Sequence, residues 1–144
     1  MDVHVEIIRE ASQELIDAFS RLLPQLSSTA TPLDYEAIDR MASCDANTVL
    51  VARASETIIG TLTLALLPLP SGLRSRVEDV VVDTSARGQG VAALLIQEAL
   101  RIAQEAGART VDLTSRPDRA AANRLYERLG FQARESTVYR FPIA

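Results

Sequence analysis

The stretch Arg87-Gly88-Gln89-Gly90-Val91-Ala92 decides how this chain is read. It follows directly on the apolar, strand-like run Val77 to Asp83 and precedes a strongly amphipathic segment, Gly90 to Ala106. Two glycines between a strand and a helix let the backbone come close to a ligand, and the helix start adds unpaired N–H groups and the positive end of its dipole. That is the build of a phosphate-holding loop, although Gly88 and Gly90 would serve a simple tight turn equally well. In the helix, Ala92, Leu95, Ile96, Ala99, Ile102 and Ala103 share one face while Gln97, Arg101, Gln104 and Glu105 share the other, so it packs on a sheet by one side.

Working outward, Val3 to Ile8 alternates as a half-buried strand does, and Glu10 to Leu26 shifts to helical spacing. Pro24 and the run Ser27 to Pro32 predict a loop, followed by a short helix over Leu33 to Ala42. Thr48 to Ala54 and Thr57 to Leu67 read as an antiparallel hairpin, with Pro68, Pro70 and Gly72 breaking the chain after it. Arg74 to Asp83 is the next strand. Gly107 caps the central helix, and Arg109 to Thr114 returns as a strand parallel to the one before it. Asp118 is positioned to cap a last helix, Arg119 to Leu129, ended by Gly130, and Ser136 to Phe141 reads as a closing strand. The expected class is α/β (α+β), with a mixed sheet of about six to seven strands and about four helices in one domain spanning residues 1–144.

Composition narrows the function. A single cysteine, Cys44, and a single histidine, His4, speak against a disulfide, a cysteine cluster or a histidine metal site, so no metal is expected. The net charge of -4 argues against a nucleic-acid binder. Residues 1–73 hold 4 Arg against 10 acidic residues and residues 74–144 hold 11 against 9, giving -6 and +2. An anionic ligand on the C-terminal half and a cationic one nearer the N-terminal half fit that split, as does plain surface solubility. The N-terminus lacks a basic leader and the longest apolar stretch, Ile58 to Leu67, is too short to span a bilayer, so the expected location is cytoplasmic, with no membrane partner.

The spacing R-x-x-G-x-A, supplied by Arg87, Gly90 and Ala92, resembles the acyl-coenzyme A loop of the Gcn5-related N-acetyltransferase (GNAT) family. The likeness extends through Val77-Glu78-Asp79-Val80-Val81-Val82-Asp83 before it and Ala122-Asn123-Arg124-Leu125-Tyr126-Glu127-Arg128-Leu129-Gly130-Phe131 after it. The valine-rich run is also similar to that of glucosamine 6-phosphate N-acetyltransferases, but Thr114 to Asn123 differs from that subfamily in length and composition, and the sugar phosphate does not carry over. The resemblance implies acetyl-CoA as cosubstrate, its pyrophosphate on main-chain N–H groups of Gly88, Gln89, Gly90, Val91, Ala92 and Ala93 beside Arg87, and its pantetheine arm paired with Val80, Val81 and Val82. An amide near Val81 or Val82 would face the thioester carbonyl.

The same resemblance implies that Asn123 contacts the coenzyme arm and that Tyr126 lies near its sulfur and protonates the departing thiolate. A phenol of ordinary pKa ~10 holds its proton at neutral pH, which suits the task, but Tyr126 could also be an aromatic core residue beside Leu125 and Leu129. Glu78, expected to share a face with Val80 and Val82, is the candidate base for the acceptor ammonium, directly or through water, provided burial raises its pKa; the alternative is an orienting or ion-paired carboxylate. Arg116 and Arg119 either meet the coenzyme's phosphates or solvate a helix start. The function implied is direct acetyl transfer to a primary amine of a small molecule or peptide, with a catalytically silent acyl-CoA sensor as the alternative. Cys44 lies outside every motif, so transfer through a covalent enzyme intermediate is a poor rival. A homodimer, through two strands at the chain's end and the Pro68 loop, is a further implication of the family, and the loops Pro24 to Tyr35 and Pro68 to Arg76 are expected to shape the acceptor site.

Overall fold

The computed structural model describes residues 2–143 and divides into two compact units, Met1–Leu113 and Thr114–Ala144. The first holds β1 (Val3–Ile8), α1 (Gln13–Leu26), α2 (Tyr35–Ser43), β2 (Asn47–Ala54), β3 (Thr57–Leu69), β4 (Gly72–Val82), α3 (Val91–Glu105) and β5 (Val111–Asp112); the second holds α4 (Ala120–Arg128). The sheet runs in the order β1-β2-β3-β4-β5. Its first four strands are antiparallel neighbours, and β4 and β5 are parallel. It is therefore a mixed α/β fold with four α-helices and a mixed sheet, as the sequence predicts.

Among the described residues five strands form, rather than six or seven. Arg109–Thr114 contributes only Val111 and Asp112 as strand, and Ser136–Phe141 forms none. The beginning of β5 is held because Thr110 O accepts from both Ser75 N (3.1 Å) and Ser75 Oγ (2.8 Å).

Local chemistry explains the other shifted boundaries. Ser12 Oγ accepts from Leu15 N at 3.2 Å, so α1 starts three residues later than its apolar spacing suggests. Pro24 lies inside α1, whose last turn continues until Ser27 N reaches Leu23 O at 3.0 Å. Asp34 Oδ1 accepts from Ala37 N at 2.9 Å and opens α2. Pro68 does not break β3. Pairing with β2 ends at Ala65, so the missing N–H of Pro68 deprives no neighbour on that side. The expected Pro68–Arg76 loop is instead the β3–β4 hairpin, in which Pro68 faces Leu73 and Leu69 faces Gly72.

The sheet is covered on both faces. On one, Leu15, Ala18, Phe19 and Leu22 of α1 and Ile38 of α2 pack with Val49, Val51, Ile58 and Val81. On the other lies α3, buried through Val91, Leu95, Ile96, Ala99 and Ala103, and each fully buried leucine or isoleucine there is worth roughly 2 kcal/mol in area removed from water. Gly60 fixes how closely α3 sits, since a Cβ at this position would meet Val81 O at 3.2 Å, Leu95 Cδ1 at 3.3 Å and Val91 Cγ1 at 3.4 Å.

Candidate functional site

The site residues of the first unit gather where β4 gives way to α3. Thr63 faces Glu78 and Thr61 faces Val81, so β4 sets two residues, Asp79 and Val80, against the single Leu62 of β3. This is a β-bulge, and Asp79 within it takes a left-handed conformation, with φ +52°. The extra residue inverts the alternation of side chains. Glu78 consequently shares its face with Val81, Thr61 and Thr63, not with Val80 and Val82 as regular alternation predicts.

Glu78 is also not buried. Its side chain is 48% exposed and accepts from Arg76 Nε at 3.2 Å, so the burial on which its role as a base depended is absent. Asp79 is the second carboxylate here, and no sequence signal assigns it a role. Solvent reaches it, yet partial burial, and then the charge of Glu78 beside it, push its carboxyl above the usual carboxylate range. Only a bulge could have pointed to it, and the valine-rich run carries no signal of one.

Pairing between β4 and β5 is confined to Ser75 and Arg76. From Val77 to Val82, β4 has no strand on that side among the described residues, and the edge of Val80, Val81 and Val82 is available to an extended ligand.

The loop after β4 is braced from below. Asp83 N donates to Ile59 O at 2.8 Å, and the Asp83 carboxylate accepts from Ser85 N and Ser85 Oγ, each at 3.1 Å, and from Arg21 Nε at 3.2 Å. The Ser85 amide and hydroxyl, then Arg21, hold that carboxyl below its ordinary range. Thr84 N donates to Gln25 Oε1 at 2.9 Å, a 3-10 turn spans Thr84–Ala86, and Arg87 Nε turns back to Val82 O at 3.2 Å.

Residues Arg87 to Gly90 are exposed. Gly90 (φ +81°) is the N-cap of α3 and supplies no side-chain acceptor. Leu94 N is the first amide of the helix to find a carbonyl, that of Gly90 at 3.2 Å. The amides before it, through Val91, Ala92 and Ala93, are the orphan donors of a helix start, and beyond the adjoining chain no atom lies within 4 Å of where a Cβ would stand on Gly88 or Gly90. An anion can therefore approach main chain directly.

In the second unit, Asn123 Nδ2 donates to Arg116 O at 3.0 Å, tying α4 to the segment before it. Asp118 does not cap α4. Arg119 occupies that position, with no side-chain bond to the helix. Tyr126 is half-buried and meets Phe131 edge-on, with ring centroids 6.0 Å apart and planes at 65°. Burial raises its phenol, against a smaller opposing effect of Arg119. Ser115 Oγ is buried without a hydrogen-bond partner, an acceptor and donor left over by the fold.

A family model described as the acetyltransferase (GNAT) family matches residues 12–131. The chain belongs to this family. No curated protein matches the sequence. Among solved structures, an aminoglycoside acetyltransferase from an uncultured soil metagenomic sample has TM-score 0.86 and 20% identity over 99% of this chain and 96% of its own. A Trypanosoma brucei acetyltransferase has TM-score 0.79 and 27% identity over 99% and 100%. AAC(6')-Iy, in complex with the bisubstrate analogue CoA-S-monomethyl-acetylneamine, has TM-score 0.81 and 18% identity over 100% of both chains. The GNAT fold uses acetyl-CoA, and an open strand edge followed by a helix start with orphan amides fits a long, phosphate-bearing cosubstrate. No helix among the described residues is long and apolar enough to cross a membrane.

Proposed function

We propose that the chain is an acetyl-CoA-dependent N-acetyltransferase that moves the acetyl group directly to a primary amine. The observation that carries this reading is the unpartnered edge of β4 running into the uncapped start of α3. In it, the amides of Gly88, Gln89, Gly90, Val91, Ala92 and Ala93 hold the pyrophosphate beside Arg87, and Val80, Val81 and Val82 pair with the pantetheine arm. An amide near Val81 or Val82 faces the charge that develops on the thioester oxygen as the amine adds. The new C–N bond forms as the C–S bond breaks, and Tyr126 gives its proton to the leaving sulfur. Its raised phenol stays protonated at neutral pH.

The proton lost by the acceptor ammonium passes through water to Glu78 or to Asp79, whose carboxyl partial burial raises above the usual carboxylate range. Asn123 steadies the coenzyme arm through its amide, of which one N–H already donates to Arg116 O. The acceptor is a cationic small-molecule amine or a peptide amine. The acidic balance of residues 1–73 supports this class, and the ligand of AAC(6')-Iy joins CoA to such an amine.

The test is to incubate the protein with acetyl-CoA and a panel of aminoglycosides, polyamines and peptide N-termini while free thiol release is followed, with calorimetry of coenzyme binding alongside. Thiol release that depends on one amine class supports the reading, whereas no heat with acetyl-CoA or its desulfo analogue overturns it. The exposure of Glu78 and its ion pair with Arg76 favour one rival, a silent acyl-CoA sensor, which would give binding heat without turnover on any amine.

A further inference from the structure

The exposed run Arg87 to Gly90 contains two glycines at positive φ, Gly88 (+77°) and Gly90 (+81°), and glycine backbone moves between conformations more freely than any other. A run of this kind grips a pyrophosphate well only if its path is set before the ligand arrives, because ordering it on binding costs affinity. Apolar burial fixes it at Ala86 and at Val91, the head of α3. Upstream of Ala86, at Asp83 and Thr84, polar side chains of α1 fix it.

Leu22, wholly buried in the core, seats this part of α1 on the sheet. Arg21 and Gln25 are four residues apart and so share a face of the helix. The Arg21 guanidinium spans two elements: Nη2 donates to Ile58 O of β3 at 2.5 Å, and Nε donates to Asp83 Oδ2 at 3.2 Å. The other oxygen of Asp83 accepts from Ser85 N and Ser85 Oγ, so one carboxylate carries the position of α1 into the first turn of the loop. Gln25 acts one residue further on. Its Nε2 donates to Arg21 O at 3.1 Å, which turns its amide oxygen to Thr84 N, 2.9 Å away. Neither side chain belongs to the amide grip itself; both hold the chain that leads into it.

We propose, on the acetyl-CoA reading of the loop, that Arg21 and Gln25 are positioning residues: from α1 they set the path of Asp83 and Thr84, and with it the affinity of the glycine loop for the coenzyme's pyrophosphate. The experiment is calorimetry on the full chain with two probes, desulfo-coenzyme A and pantetheine, the second of which lacks the pyrophosphate. Gln25→Leu removes the acceptor for Thr84 N, whereas Gln25→Glu keeps an oxygen there. Gln25→Leu is expected to weaken desulfo-coenzyme A roughly five- to tenfold, the scale of one lost hydrogen bond, with pantetheine within about twofold. Gln25→Glu is expected within about twofold of the parent for both probes. Arg21→Met, which keeps the stem of the side chain and loses both of its hydrogen bonds, is expected to weaken desulfo-coenzyme A alone in the same way. Melts without ligand accompany each titration, and the ratio between the two probes reads the loop even in a variant that melts lower. Unchanged affinity in Gln25→Leu, an equal loss for both probes, or no rescue by Gln25→Glu overturns the proposal while the coenzyme reading stands. A parent that gives no heat with desulfo-coenzyme A overturns that reading, and the proposal with it.

Discussion

At Asp79, in the candidate site, backbone and carboxyl are both constrained. A side chain at φ +52° costs about 1 kcal/mol unless the residue is glycine or can bond locally, as Asp and Asn can. Asp79→Gly is therefore expected to leave the denaturant midpoint nearly unchanged, and Asp79→Ala to lower stability by about 1 kcal/mol; equal stabilities would show that the bulge is relaxed. Tyr126→Phe is expected to reduce kcat by roughly 100-fold or more, the usual scale of a lost general acid, with the coenzyme Kd within about twofold; parallel loss of both would make the ring structural. Asp83 supplies a pH test. Its folded-state pKa is lowered, so it contributes stability above its ordinary value of ~3.9 and loses that contribution as pH falls through the lowered value. Asp83→Asn is expected to melt below the parent at pH 7, the gap narrowing below about pH 4; a constant gap across the scan would remove the electrostatic explanation.

Elements bring these residues together by close packing. Gly60 lets α3 lie almost against β3 and β4, and Gly60→Ala must push on Val81 O and Leu95 at once. A loss of about 1–3 kcal/mol is expected from that overpacking, together with weaker coenzyme binding, because Val91 at the head of α3 is the third atom group in the way. Thermal melts and calorimetry on one preparation read both effects. Much at this scale was legible in the sequence. The amphipathic face of α3, the glycine stop at Gly107 (φ +83°) and the β2–β3 hairpin follow from spacing and turn chemistry. The bulge at Asp79/Val80 was not, since it arises from a register shift against β3 and a valine-rich strand reads the same with or without it. Pro68 misled for a similar reason: whether proline breaks a strand depends on whether a neighbour needs its N–H, and the end of β2 decides that. Asp118 looked like a cap, but Arg119 took the position.

For the molecule as a whole, family membership rests on residues 12–131, whereas the individual site roles rest on chemistry that ligand binding can test. Acetyl-CoA at a hundred times its Kd is expected to raise the stability of the folded state by about 2.7 kcal/mol, seen as a melting temperature several degrees higher; coenzyme A without its phosphates should achieve much less. An unchanged melt in saturating acetyl-CoA would contradict the assignment of the loop.

The proposed grip by main-chain amides has a genetic consequence. Every codon but those for proline encodes a residue that still presents an N–H, so Gln89, exposed at the tip of the loop, is a place where mutation is almost silent, while Gly90, held at φ +81°, is not. A saturation library of this protein would accordingly show a tolerant gap in the middle of its most important segment, and descendants could diverge there in charge and size while keeping the same donor.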